Sequence, residues 1–292
     1  MSEAPSRTGV VVLAGGVSVE REVSLRTGAA VAESLRRSGL PVRMFDPPGS
    51  LAAADFRDGE VVVNALHGAY GEDGTVQTQL ASASVRFTGS SAASSRLTFD
   101  KWATRQAVDV AVAEGALSAD GWRTFPCVVK PRRGGSSFGL SLVRRAEDLA
   151  AALERAGEEP LIEAFVAGEE WTLACFGDRP MTPVRVRAAG DVFDTHAKYA
   201  DPASRFEPLT DRGNARSAAL REAAARVAAA TGVAGLSRSD FIWDGRRPVF
   251  LETNTVPGLT RRSLAPISAA ASGIDFDALV RRMLDAATTG GA

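Results

Sequence analysis

The chain reads as an α/β N-terminal domain on a parallel sheet, followed by an α+β region, and three observations carry this. Up to about residue 98, short β-branched runs alternate with helical stretches and glycine turns. From Phe99 onward strands crowd together in an antiparallel-looking order with fewer helices. The balance of 45% hydrophobic and 24% charged residues over 292 positions is that of a soluble globular chain of about two domains.

The elements follow in order. Val10-Val11-Val12-Leu13-Ala14-Gly15-Gly16 is an apolar run ending in a glycine pair, a buried parallel strand feeding a loop. A helix is expected over Val23–Ser38, closed by Gly39, then strands at Val42–Phe45 and Val61–Leu66. Thr75–Ala83 reads as helix and Val85–Thr88 as strand. Further on, the pattern predicts a helix over Phe99–Glu114 and a strand over Pro126–Pro131. After a Gly/Ser loop come a strand from Leu140 and a helix over Ala146–Ala156. Strands are expected near 160–164, 170–177, 182–188, 235–243 and 248–252. Two late helices are expected, over Ala215–Ala230 and Phe276–Ala287. The polar stretch 194–210, carrying Pro202 and Pro208, has neither period and reads as a mobile loop.

Charge narrows the partners. Lys+Arg 34 against Asp+Glu 35 gives a net charge of -1, with no basic excess for nucleic acid or an anionic membrane. No apolar run approaches a membrane span, and the N-terminal residues lack the apolar core of a signal peptide. Cys127 and Cys175 lie far apart in apolar segments, which reads as two reduced buried thiols in a cytoplasm. Only three of the basic residues are lysines: Lys101, Lys130 and Lys198. A lysine kept against an arginine-rich background suits a narrow site that needs a compact point charge.

Four constellations carry chemistry. Arg132–Gly139 is a Gly/Ser loop between two strands, preceded by Lys130, whose successive backbone N–H groups can cradle an anion. Neither the Walker spacing nor Gly-x-Gly-x-x-Gly occurs, so neither a P-loop nor the dinucleotide fold is indicated. Arg238-Ser239-Asp240 and Leu251-Glu252-Thr253-Asn254, as strands, would put Asp240, Glu252 and Asn254 on one face, a hard-oxygen set suited to Mg²⁺. Arg238 would share that face and offer its fork to an oxyanion. Pro257-Gly258 makes a turn whose amide could also serve an oxyanion. His67, at the carboxyl end of a parallel strand, and Glu20, in the loop after the first strand, would lie at the edge where open α/β sheets bind ligands.

The residues then resemble a known family. Gly15-Gly16-x-Ser18-x-Glu20-Arg21-Glu22-Val23-Ser24, Leu66-His67-Gly68-x-Tyr70-Gly71-Glu72-Asp73-Gly74-Thr75, the loop at 134–139, Ala197-Lys198-Tyr199 and Glu252-x-Asn254-Thr255-x-Pro257-Gly258 are similar to the D-alanine–D-alanine ligases, ATP-grasp enzymes, in order along nearly the whole chain. The resemblance implies an N-terminal substrate-binding domain over 1–98, a shortened small ATP-grasp lobe over 99–168 and a C-terminal lobe with the metal site over 169–292. It implies ATP-dependent formation of a D-alanyl-D-alanine-type peptide bond through an acyl phosphate, for peptidoglycan. Lys101, Lys130, Ser137 and Lys198 would then handle phosphates, and Glu163, Phe165, Val166, Glu170 and Leu251 the adenosine. Asp240, Glu252 and Asn254 would hold two Mg²⁺ ions, with Mn²⁺ as a substitute. Glu20 and His67 would hold the first substrate, and Ser136 and Tyr199 would lock loops against Glu20. Arg238 and Gly258 would stabilise the tetrahedral intermediate, while Ser263 and Leu264 grip the acceptor carboxylate. Amino-acid substrates and a cytoplasmic homodimer complete what the family implies.

Against the family pattern stand a short stretch between Lys101 and Lys130, His196 in place of an acid, Arg261-Arg262 before Ser263, and a bulky Phe138. These leave room for a ligase of a specialised pathway with another carboxylate or amine. A nucleotide-binding regulator without catalysis would have no need for Asp240, Glu252, Asn254 and all three lysines.

Overall fold

A computed structural model describes residues 9–187, 205–211 and 213–290. Its first sheet contains β1 (Val10–Leu13), β2 (Val42–Phe45), β3 (Val61–Asn64) and β4 (Arg86–Phe87), all parallel in the order β2-β1-β3-β4. The two central strands are buried along their whole length, which is why both are runs of valine. Val10 and Val12 pack to one side with Val31 and Leu35 of α1 (Arg21–Arg37), and Val11 and Leu13 to the other with Leu80 of α2 (Thr75–Ser82) and Phe87. The third strand stops two residues short of its expected end. There the Asn64 amide donates to the Gly71 carbonyl at 3.0 Å and its Oδ1 accepts from Leu66 N–H at 3.1 Å, turning the chain out of the sheet.

Two short helices, α3 (Ala92–Phe99) and α4 (Lys101–Ala107), replace the single helix expected over Phe99–Glu114. Asp100 ends the first and caps the second, accepting Ala103 N–H at 3.0 Å. Beyond Ala107 the chain is extended, and Val112 bridges Phe250 of a distant strand. Val108, Val110 and Val112 alternate with small or polar residues, a period of two rather than 3.6, and all three pack on one core cluster. The second sheet is antiparallel, with β5 (Gly115–Ala116), β6 (Cys127–Pro131), β7 (Ser141–Val143) and β8 (Pro160–Ala164) in the order β5-β8-β6-β7. The apolar side of α5 (Leu149–Ala156) covers it, with Ala152 and Leu153 against Cys127, Val129 and Ile162.

The third sheet comprises β9 (Glu169–Phe176), β10 (Arg179–Pro180), β11 (Val184–Arg187), β12 (Arg205–Pro208), β13 (Leu236–Trp243) and β14 (Pro248–Asn254). Its order is β12-β11-β9-β13-β14, with β10 beside β9, and every pairing is antiparallel. Part of the stretch expected as a loop is therefore a strand, because Phe206 faces Val186 across the β11–β12 pair; residues 188–204 lie outside the described residues. The Ala-rich α6 (Ala215–Thr231) starts on Asn214, whose side chain accepts two backbone N–H groups, and ends at Gly232 with φ 63°. It lays Leu220, Ala224 and Val227 over Leu173, Phe241 and Phe250, the two phenylalanines meeting edge to face at 5.8 Å.

The last two helices, α7 (Leu264–Ala271) and α8 (Phe276–Asp285), return to the first sheet. Ala265, Ala269, Leu279 and Val280 share one cluster with Val10, Val12 and Leu35, and Phe87 bridges Thr288. Cys175 is enclosed, and burial pushes its thiol up to about 12. Because the thiolate is the nucleophile, the folded protein should leave Cys175 unmodified by iodoacetamide at pH 8. Mass spectrometry before and after unfolding checks this; rapid labelling of the native chain would contradict the burial.

Candidate active site

The site begins where the first sheet releases its strands. His67 follows β3 and is buried, with Nε2 2.9 Å from Thr27 Oγ1 and Nδ1 3.4 Å from Glu72 Oε1. Burial raises the Glu72 carboxyl above its usual range, an effect that the His67 contact only partly offsets. Both ring nitrogens of His67 thus face protein groups. The Ser18 hydroxyl donates to the His67 carbonyl at 2.6 Å and accepts from Glu20 N–H at 3.1 Å, tying the loop after β1 to the end of β3. Glu20 is buried beside them.

Gly68 makes this closeness available. Its φ is +76°, and a Cβ there would lie 2.7 Å from Glu20 Oε2 and 3.0 Å from Ser18 Oγ. Gly68→Ala should therefore lower stability by about 1–3 kcal/mol and displace Glu20. Denaturant midpoints should show the first effect. Amide exchange around Glu20 should show the second, and an unchanged midpoint would refute the packing argument.

Over Glu20 sits the Gly/Ser loop between β6 and β7. Ser136 and Ser137 have φ of 53° and 57°, so two successive non-glycine residues occupy the left-handed region at a cost of about 1 kcal/mol each. The Ser136 hydroxyl donates to Glu20 Oε1, which links this loop to the first sheet across the mouth of the site. A Cβ at Gly135 would come within 3.0 Å of the same carboxylate.

Beneath the loop lies a cleft lined by Lys101, Lys130, Ser137, Phe138, Glu170, Asp240, Leu251 and Glu252. Lys101, the first residue of α4, donates from Nζ to the Gly134 carbonyl and lies 3.7 Å from Glu252 Oε2. Lys130 Nζ lies 2.6 Å from Glu163 Oε2, and Glu163 Oε1 takes Arg105 Nη1 at 3.0 Å, all three residues being buried. Asp240 and Glu252 are register partners across β13 and β14, as Arg238 and Asn254 are. The Arg238 fork meets Asp240 at 2.9 and 2.8 Å, and Thr172 Oγ1 of β9 donates to Asp240 Oδ1 at 2.6 Å. Asn254 Oδ1 accepts Val256 N–H at 2.8 Å and shapes the following turn. A smaller hollow shares Lys101, Gly134, Gly135 and Glu252 and reaches Glu72 and Asn254, joining the cleft to the first sheet.

The remaining candidates lie around these. Phe165 and Val166 are half-buried in the link from β8 to β9, where Phe165 N–H donates to the Pro126 carbonyl at 3.0 Å; they are not among the residues lining the cleft. Ser263 Oγ accepts Thr260 N–H at 3.1 Å, and a side chain at Gly258 would press on it at 3.1 Å. Leu264 opens α7 and packs against Val186. Lys198 and Tyr199 lie outside the described residues. Sequence reasoning passed over Asp100, Arg105, Glu72 and Thr172. Arg105 was legible as the residue one turn after Lys101, and Thr172 only through strand pairing.

The donor set answers which ion it suits. Two carboxylates facing each other on adjacent strands, with an amide oxygen near, form an all-oxygen group suited to a hard divalent ion. Arg238 pairs with Asp240 and Lys101 with Glu252.

Two antiparallel sheets closing on a cleft of lysines and paired carboxylates, beside a parallel sheet, are the ATP-grasp architecture. A description of the C-terminal part of D-Ala D-Ala ligases matches residues 99–285. The chain is 38% identical to the D-alanine–D-alanine ligase of Syntrophotalea carbinolica, covering 96% of both chains, and 39% identical to that of Halorhodospira halophila, again covering 96% of each. The Bacillus anthracis D-alanine–D-alanine ligase complexed with ATP superposes with a TM-score of 0.81 at 27% identity, over 96% of this chain and 97% of that one. The VanG D-Ala:D-Ser ligase of Enterococcus faecalis, at 24% identity and a TM-score of 0.83 over 96% and 99%, shares the fold. The chain belongs to the D-alanine–D-alanine ligase family.

Proposed function

We propose that this protein is an ATP-dependent carboxylate–amine ligase that joins two D-alanines, the step that supplies peptidoglycan with its terminal dipeptide. The observation that carries the reading is the convergence of Lys101, Lys130, Asp240 and Glu252 under a Gly/Ser loop that bonds Glu20 of the neighbouring sheet. A carboxylate oxygen of the first D-alanine attacks the γ-phosphorus of ATP and ADP leaves. The amine of the second, having given up a proton, attacks the acyl carbon, and the tetrahedral intermediate expels phosphate.

The family resemblance suggests each residue's part. Lys101, Lys130, Ser137 and Lys198 offer cations and donors to the phosphates, and Lys130 exchanges its ion pair with Glu163 for the nucleotide. Glu163, Phe165, Val166, Glu170 and Leu251 border the adenosine. Glu20 takes the first ammonium, with His67 holding the loop that presents it. Ser136 and Tyr199 close over Glu20 and exclude water. Arg238 and the Gly258 amide receive the oxyanion. Ser263 and Leu264 hold the second carboxylate at the start of α7. Asp240, Glu252 and Asn254 are the residues that would hold Mg²⁺, or Mn²⁺ in its place, and two such ions would offset phosphate charge during transfer.

The same reading divides the chain near residues 98 and 168, supported by one sheet before the first point, one between the two and one after the second. It takes the protein to be cytoplasmic, in keeping with two free buried cysteines, and no helix among the described residues is long and apolar enough to cross a membrane. It takes the working unit to be a homodimer, which sedimentation would test.

The decisive experiment offers ATP, Mg²⁺ and D-alanine, alone and in competition with D-serine, D-lactate and L-alanine. ADP and phosphate are followed and products weighed by mass spectrometry. D-alanyl-D-alanine should dominate. A preference for another acceptor would overturn the D-alanine assignment, and no ADP from any pair would overturn the ligase reading.

A further inference from the structure

The carboxylate of Asp100 takes four bonds from three residues. Oδ1 accepts Ala103 N–H at 3.0 Å and Arg132 Nε at 2.7 Å, and Oδ2 accepts Arg132 Nη2 at 2.7 Å and Arg133 Nη2 at 3.1 Å. The backbone repeats the connection: Lys101 N–H donates to the Arg132 carbonyl at 3.1 Å, and Asp100 bridges Arg133. The Asp100 side chain is 8% exposed and that of Arg132 24%, so the Arg132 fork is the sheltered part of this charge-assisted set, while Arg133, 48% exposed, reaches the same carboxylate from the solvent side. Burial acts to raise this carboxyl, but the Arg132 fork, the Ala103 amide and the two guanidinium charges outweigh it and hold it below the usual range.

The two groups brought together are the two that meet the nucleotide in the reading above. Lys101 is the residue after Asp100, and Arg132 and Arg133 open the Gly/Ser loop, whose glycines begin at Gly134. Lys101 then crosses to the Gly134 carbonyl, which closes a small ring of chain around the carboxylate. We propose that Asp100 is a positioning residue for phosphoryl transfer: it locks the root of the Gly/Ser loop to the lysine helix, so that loop and ammonium meet the ATP phosphates as one unit. It also occupies two guanidinium groups that would otherwise compete with Lys101 and Lys130 for phosphate.

This rests on the ATP-dependent reading, and the test separates the two. Asp100→Asn keeps the helix cap and the size of the side chain but removes the charge that both arginines share. Asp100→Ser, which also caps, is the second variant. In both, turnover should fall on the order of tenfold or more and the Michaelis constant for ATP should rise severalfold, with that for D-alanine unchanged. Amide exchange over residues 132–139 should quicken in the nucleotide-free full chain. The double variant Asp100→Asn, Arg132→Gln should be no worse than Asp100→Asn alone. Native exchange in the loop, additive losses, or an equal rise in both Michaelis constants alongside a lowered melting temperature would overturn the proposal. Because exchange is read without nucleotide, it decides on the lock even if the native chain releases no ADP, a result that would instead overturn the ligase reading.

Discussion

Glu252→Gln should reduce turnover by about 100-fold or more while leaving the melting temperature nearly unchanged. The change removes one of two facing carboxylates and keeps the side chain's size and place on β14. The pair of Glu252 with Lys101 spans 3.7 Å, and Lys101 keeps its bond to the Gly134 carbonyl, so the neutral amide costs little stability. Asp240→Asn should cost as much turnover and also stability. There the Arg238 fork, 12% exposed, loses the charge it is built around, a loss of about 1–3 kcal/mol. Steady-state rates across a Mg²⁺ titration, with thermal melts of both variants, would check this. Near-native turnover in Glu252→Gln at the native Mg²⁺ requirement would remove the carboxylate pair from the metal role.

Lys130→Met should raise the Michaelis constant for ATP by about 10- to 100-fold and leave that for D-alanine within a small factor. The fold should survive, because Glu163 keeps its bond to Arg105 when the ammonium is gone. Lys130→Arg should not restore ATP affinity. The compact ammonium sits 2.6 Å from a carboxylate that Arg105 already binds, and a longer planar guanidinium would not place its charge at that point. Initial rates against ATP at saturating D-alanine measure this; native ATP kinetics in Lys130→Met would contradict its place at the phosphates.

The first sheet was readable because its chemistry is one-dimensional. Val10–Leu13 and Val61–Val63 must be apolar on both faces, and no other element type competes for such short β-branched runs. Beyond Phe99 two signals were in conflict. Asp100 is a capping residue at the end of one helix and the start of the next, and Val108, Val110 and Val112 alternate with a strand's period. The helix α3 went unseen because Ser94, Ser95 and Thr98 fill its buried side, which leaves no apolar stripe. Pro266 hid α7, although in the first turn of a helix proline gives up no hydrogen bond. At the site, strand spacing gave Asp240, Glu252 and Asn254 a shared face, while the register that sets Asp240 opposite Glu252 came from the structure. The fork of Arg238 on Asp240, the grip of Asp100 on Arg132 and the link from Ser136 to Glu20 depend on residues distant in sequence or on side-chain direction, which spacing does not encode.

The return of α7 and α8 to the first sheet has a consequence for biosynthesis. Val10, Val12 and Val63 leave the ribosome long before Leu279, Val280 and Met283, which complete one face of their sheet. Until those residues emerge, α1, through Val31, Ala32 and Leu35, covers only part of that face of the valine strands, and the incompletely covered nascent sheet is a target for chaperones and for self-association. Completion therefore depends on contacts spanning most of the chain, which slows the final docking, and a translation stall before Phe276 should yield an aggregation-prone or rapidly degraded product.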